Sequence, residues 1–181
     1  EAVRREAKRL LPVPLEQLYL SWQSIPAPEG KTQVFLMAVP RTAADTLFNT
    51  LKIAGLKAEL MDLKPMLIAR LVLDTTAIIV DVQPNEFDIV IMAGGLPQPV
   101  RTLNFPSATL SWQEKLSSIK DNLIRSIEFY NTNNPDSPLP SNLPVLVSGV
   151  LANEPEYCQT LSEELNRPVL PLPPPFDSPD G

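Results

Sequence analysis

A chain of 181 residues with 44% hydrophobic and 20% charged residues can bury a core that offsets the entropy of ordering, which excludes a wholly disordered protein and fits one domain or two small lobes. The net charge of -6, with no basic block longer than "RREAKR", excludes nucleic acid as a partner. Histidine is absent and Cys158 is the single cysteine, which removes Ser-His-Asp and Cys-His catalysis, imidazole metal ligands, an internal disulfide and a thiolate zinc site.

From the start, "EAVRREAKRLLP" is a charged, helix-prone segment stopped at Pro12. In "VPLEQLYLSWQSI", Leu18, Leu20 and Trp22 alternate with Tyr19, Ser21 and Gln23, a period of two that predicts a strand with one buried face. "PAPEG" turns the chain, and Lys31 to Pro40 reads as an apolar strand of the interior of a sheet, antiparallel to the first. Ala44, Leu47, Phe48, Leu51 and Ala54 make one apolar helical face, with Gly55 as its left-handed stop. "KAELMDLKP" then reads as a strand, Lys57 to Leu63, and "MLIARLVL" as a helix begun by Pro65.

After "DTT" the pattern predicts three strands, Ala77 to Val82, Phe87 to Ala93 and Pro97 to Phe105, the last two joined by a turn in "GGLPQP". Trp112, Leu116, Ile119, Leu123, Ile127 and Tyr130 form the stripe of a helix long enough to cover a sheet. "NTNNPDSPLPSN" is a loop, followed by the buried strand "LPVLVSG", the helix "EPEYCQTLSEELN" and the short strand "RPVLPL". Three antiparallel strands and then helix, strand, helix, strand is the order of a ribonuclease H-like α/β lobe. The Pro-rich end can continue neither a helix nor a central strand. No run approaches the ~20 apolar residues of a membrane span and no signal-peptide core is present, so the cytosol is the simplest compartment. A first residue of Glu fits a piece of a longer protein.

Asp81 ends an apolar strand, where it can either hold a magnesium-bound water near a phosphate or cap the turn Gln83 to Glu86. Asp88 alternates with Phe87 and Ile89, which points it to solvent or under a neighbouring lobe and leaves it out of any ligand set. Gly94 and Gly95 join two strands and read as a hairpin turn, since a phosphate cradle would open a helix. Ser148 and Gly149 end a buried strand before a helix; they are either an ordinary strand-to-helix loop or an anion site using helix-end N–H groups. Arg41, Arg70, Arg101 and Arg125 are spread over four elements and read as surface or salt-bridge residues. Core packing is the expectation for Trp22 and Trp112.

"VFLMAVPRTAADTLFNTLKIAGLKAELMDLKPMLIARLV" resembles the PilM family of type IV pilus assembly proteins, relatives of FtsA in the actin-like ATPase superfamily. The pieces that carry the resemblance are "MAVPR", "IAGL" and "DLKPMLIAR", in that order. Upstream, "VPLEQLYLSWQ" is similar to a family strand, with Ser21 and Trp22 in place of its Asp and Tyr. Downstream, "AIIVDVQPNEFDIVIMAGGLPQPVRTLNFP" is similar to the second phosphate-loop hairpin and third strand, and "LPVLVSGVLANEPEYCQTLSEELNRPV" to the adenosine-side strand with its helix.

The resemblance runs from Val13 to about Phe176. It implies an α/β fold: an actin-like, ribonuclease H-like lobe at residues 76–172, a small α+β subdomain with a linking helix at 1–75, and a Pro-rich tail at 173–181. The fold is incomplete relative to the family, because the first subdomain, with the first phosphate loop, and the subdomain inserted before the Trp112 helix are missing. Of the family's Asp-Ile-Gly second phosphate loop, Asp81 matches and Val82, Gln83 and Pro84 do not. Pro84 lacks an N–H donor and Gln83 obstructs backbone approach. Gly149 matches one adenosine-side glycine, and Ser148 replaces the other.

The nucleotide-site positions Asp81, Gln83, Asn85, Ser148 and Gly149 are therefore expected to be inactive, with no catalytic residue, no metal, and ATP with magnesium only if the missing lobe is present. The function implied is a non-catalytic cytoplasmic scaffold of type IV pilus or related secretion assembly. It would dock the cytoplasmic tail of an inner-membrane protein, with self-association as a further contact, and would reach the membrane only through that partner. The alternatives are an ATP-binding actin-like assembly protein whose first lobe lies outside this chain, and a structural α/β domain of unrelated role.

Overall fold

A computed structural model describes residues 1–26, 32–72, 76–107 and 109–173. The tail expected at 173–181 lies, from 174 onward, outside the described residues, as does most of the "PAPEG" turn. The chain divides into two units, Glu1–Met61 and Asp62–Gly181.

The first unit opens with helix α1 (Ala2–Leu10), which stops before Pro12 as proline chemistry requires. Strands β1 (Leu18–Pro26) and β2 (Thr32–Pro40) pair antiparallel, with Leu18 opposite Pro40. Helix α2 (Arg41–Ile53) follows β2 directly, and Gly55 behind it takes φ 76°, the left-handed stop that its position predicts. Tyr19 ties strand to helix: its hydroxyl donates to Asp45 at 2.9 Å, and the Arg41 guanidinium lies 4.1 Å over its ring.

Three expectations fail in this unit. Among the described residues the sheet has two strands, so β2 is an edge rather than an interior strand. Alternation places Leu18, Leu20 and Trp22 on one face, but burial also needs a cover: Leu18 is buried, Leu20 half-buried, and Trp22, expected in a core, stays 42% exposed. Residues 57–63, expected as a strand, join no sheet among the described residues.

The second unit is built on a five-stranded sheet. Helix α3 (Lys64–Ala69) starts with proline in its first turn, as predicted, and tightens into a 3-10 turn at Arg70–Val72. Strands β3 (Ala77–Val82), β4 (Glu86–Ala93) and β5 (Leu96–Asn104) form an antiparallel meander, with Gly94 and Gly95 at φ 59° and 75° making the two-residue turn. Helix α4 (Trp112–Asn133) crosses back so that β6 (Val145–Gly149) pairs parallel with β3. Helix α5 (Pro155–Leu165) leads into β7 (Val169–Pro171), and the sheet order is β5-β4-β3-β6-β7. This is the strand order that the ribonuclease H-like reading requires.

Both faces of the sheet are covered. Ile78, Val80, Val82, Phe87, Ile89 and Ile91 pack with Leu116, Ile119 and Leu123 of α4 and Leu161 of α5. Ile79, Val90 and Met92 pack with Ala69 and Val72 on the opposite face. Trp112 meets its expectation, stacking on Tyr157 with ring centroids 5.0 Å apart. Ser111 caps α4, its Oγ accepting from the Glu114 N–H while the Glu114 carboxylate accepts from the Ser111 N–H at 2.8 Å. Ser111→Ala is expected to cost about 1 kcal/mol, read as a lower urea midpoint with an unchanged slope. Among the described residues, no helix is long and apolar enough to cross a membrane.

Candidate functional site

Strand β3 is apolar except at Asp81, one residue before its end. The hairpin that follows is closed by the Gln83 N–H donating to the Glu86 carbonyl at 2.8 Å. That closure sets Val82 opposite Phe87 and therefore Asp81 opposite Asp88, while the parallel ladder sets Asp81 beside Ser148. Two buried aspartates facing each other across a ladder repel, and a site of this kind survives only with a cation and directed donors.

Lys64, at the start of α3, supplies the cation. Its Nζ lies 3.0 Å from Asp81 Oδ2, 2.8 Å from Asp88 Oδ2 and 3.3 Å from Glu86 Oε1. Ser148 Oγ donates to Asp81 Oδ1 at 2.7 Å and Gln83 Nε2 to Asp81 Oδ2 at 3.0 Å. Thr102 on β5 donates to Asp88 Oδ1. Burial pushes the Asp81 carboxyl up, but the Ser148, Gln83 and Lys64 donors outweigh it and hold the group below its ordinary value. Burial likewise works against the Lys64 charge, yet Asp88 and Asp81 raise its pKa well above that of a free lysine.

Both shifts give a signed pH dependence. The Asp81 contribution is complete above its unfolded value, about 4, and is lost as pH falls through the depressed folded value. The Lys64 contribution is complete below about 10.4 and is lost as pH rises through the raised folded value. Melting temperature against pH should therefore show a plateau between about 5 and about 10 from these groups, and Asp81→Asn should flatten the acid limb.

Of the five residues expected at a nucleotide position, four converge. Asp81, Gln83 and Ser148 are linked directly, and Gly149 ends β6 with φ 70° against the carbonyl of Val82. Gln83 Nε2 lies 2.9 Å from where a Cβ on Gly149 would be, so its amide fills the ground between the two strand ends. Asn85 stands apart at the exposed tip, its carbonyl accepting from the Phe105 N–H at 2.8 Å. Pro84 offers no N–H, and its carbonyl accepts from Lys115 Nζ at 3.0 Å.

The structure departs from the sequence reading at two points. The carboxylate of Asp81 does not cap the Gln83 to Glu86 turn; it is turned to Lys64 and Ser148. Asp88 is 1% exposed and joins the cluster rather than facing solvent. Of the two alternatives for Ser148 and Gly149 the structure has the strand-to-helix loop: Gly149 bends at φ 70° into a 3-10 turn at Val150–Asn153, and α5 starts at Pro155. Lys64 and Thr102 were not foreseen; the signal was the hairpin register, which places two acids face to face once its turn is fixed. Each arginine stands separately, as expected of surface or salt-bridge residues: Arg70 pairs with Asp62 at 2.7 Å, Arg41 stacks on Tyr19, Arg101 reaches Ser126, and Arg125 is exposed.

The geometry does not fit a magnesium-bound triphosphate at this turn. Both Asp81 oxygens already accept from side chains of the chain itself, Gln83 fills the cradle, and Pro84 removes a backbone donor.

No family model and no curated protein matches the sequence. Among solved structures, a chain of a "PilM-PilN type IV pilus biogenesis complex" matches with a TM-score of 0.72 and 24% identity over 97% of this chain and 62% of that one. An "AlfA Filament bound to AMPPNP" matches at TM-score 0.42 and 16% identity, over 62% of this chain and 37% of the other. A Bacteroides thetaiotaomicron protein of unknown function, described as having an actin-like ATPase fold, matches at 0.45 and 7%, over 92% and 58%. The first likeness shows the fold, an α/β fold shared with that chain, of which this chain spans less than two thirds.

Proposed function

We propose that this chain is a scaffold in type IV pilus or related secretion assembly, which docks the cytoplasmic tail of an inner-membrane protein and does no chemistry of its own. The observation that carries the reading is the likeness in fold to a chain of a complex named for pilus biogenesis. The closed Asp81 turn supports the non-catalytic part, because a phosphate loop needs free backbone donors and a carboxylate free to take a cation's water. The five-stranded sheet of the second unit and the smaller first unit remain as surfaces for a peptide or a subunit. The protein then works in the cytoplasm, at the inner membrane only through its partner.

The test mixes the full-length protein with the cytoplasmic tail of the membrane protein encoded beside it, fused to a soluble carrier, with and without ATP and magnesium. The expected result is a complex in both conditions and a melting temperature that nucleotide does not move. A rise in melting temperature with ATP and magnesium would favour the alternative of an ATP-binding actin-like protein. Absence of the complex would remove the scaffold reading.

A further inference from the structure

In the first unit, a groove of about 600 Å³ is lined by Leu18, Tyr19 and Leu20, three consecutive residues of β1. Side chains of a strand alternate between its faces, so a cavity that meets three in a row runs along the strand's edge. β2 pairs with β1 on one side, and among the described residues no strand takes the other: residues 57–63, which read as a strand, join no sheet. The edge is also unguarded. β1, "LYLSWQSIP", carries no charged residue, its one proline is its last residue, and its register with β2 runs without a bulge, although charge, proline and bulges are the means by which sheets keep an edge from pairing. Tyr19 and Trp22 stay 41% and 42% exposed on this strand.

The charges beside the edge select its occupant. Arg4 of α1, Arg41 at the start of α2 and Glu16 line the same groove. All three are exposed, and among the described residues none of them is in an ion pair. An unpaired strand edge flanked by a free carboxylate and free guanidiniums is complementary to a copy of itself, because a twofold axis brings Glu16 of each chain to the arginines of the other. A uniformly acidic or uniformly basic segment would leave one of the two charges facing its like. We propose that this edge is a homodimer interface, in which β1 of one chain pairs antiparallel with β1 of a second copy and joins two hairpins into a four-stranded sheet. The pairing gives partners to the edge N–H and C=O groups and covers the half-buried Leu15 and Leu20. It goes beyond the scaffold reading and uses nothing of it, since the edge lies wholly in the first unit and no membrane tail enters the argument.

Sedimentation equilibrium of the full chain measures the dimer directly, and the wild-type protein is expected to be a concentration-dependent dimer. Glu16→Arg and Arg41→Glu, each alone, set like charges against each other across the axis and are expected to raise the dissociation constant about tenfold or more. Mixed in equal amounts, the two variants pair opposite charges at both contacts and should regain the wild-type dissociation constant, as should Glu16→Arg/Arg41→Glu. Recovery on mixing also shows that both variants fold. If Arg41→Glu unfolds the unit by losing its stacking on Tyr19, Arg4→Glu takes its place. A wild-type chain that stays monomeric overturns the inference, and so does a dimer that neither reversal weakens or a mixture that does not recover. A monomeric wild type that binds an extended peptide through Glu16 and Arg41 would give the edge to a partner segment instead. The scaffold reading is decided by the tail complex and not by the dimer, so the two fail separately.

Discussion

Gly149→Ala is expected to destabilise the second unit by about 4 kcal/mol or more, the range reserved for substitutions with a named structural clash. The residue has φ 70° and ψ -148°, a region that is nearly closed to any side chain. A Cβ there would lie 2.1 Å from the carbonyl oxygen of Val82 and 2.9 Å from Gln83 Nε2. The first obstacle is backbone, fixed by the parallel pairing of Val82 with Gly149, so relief requires the last rung of the β3–β6 ladder to open. Gly94→Ala is the control. It shares the positive φ but meets no atom within 4 Å, so only the left-handed penalty of about 1–2 kcal/mol applies. Urea unfolding of both variants in a Trp22→Phe background, with Trp112 as the reporter inside the second unit, separates the two effects. Equal losses would show that the close approach of the strand ends contributes nothing.

The second unit was legible in the sequence because its signals are local and agree. The Gly94–Gly95 turn, the Ser111–Glu114 cap and the 3.6-residue stripe of α4 each fix one element, and their order along the chain is that of a ribonuclease H-like lobe. In the first unit, alternation in β1 gave the strand and its partner but not their burial. Whether Trp22 is covered depends on what lies across the sheet, which a period of two does not encode. Residues 57–63 read as a strand, yet among the described residues they join no sheet although β1 and β2 each have a free edge; pairing with such an edge is a tertiary event that the local pattern does not encode.

At the site, the turn chemistry of Gln83 and Pro84 was readable residue by residue. Lys64 was not, because the ion pair joins residues 17 to 24 positions apart through tertiary packing, although the facing of Asp81 and Asp88 follows from the hairpin register alone.

Lys64→Met is expected to cost about 3 kcal/mol, at the low end for breaking a buried ion cluster because water reaches the ammonium from the Glu86 side. The loss does not come from the lysine's own packing. It comes from Asp81 and Asp88, whose side chains are 6% and 1% exposed and would face each other with no counter-charge. A cost of that origin makes a prediction that ordinary packing loss does not. Neutralising one aspartate as well should return part of the stability, so Lys64→Met/Asp88→Asn should be more stable than Lys64→Met alone. The coupling between the two substitutions should reach about 1–3 kcal/mol, the range for residues in one network. Asp88→Asn in the wild-type chain also keeps an acceptor for the Thr102 hydroxyl, which limits its own cost. A raised pH optimum of stability is excluded for the double variant, since the group whose pKa is raised is gone; its melting temperature should lose the alkaline decline that Lys64 imposes. Additive losses from the two substitutions would mean that the cluster holds the strand ends by shape and not by charge.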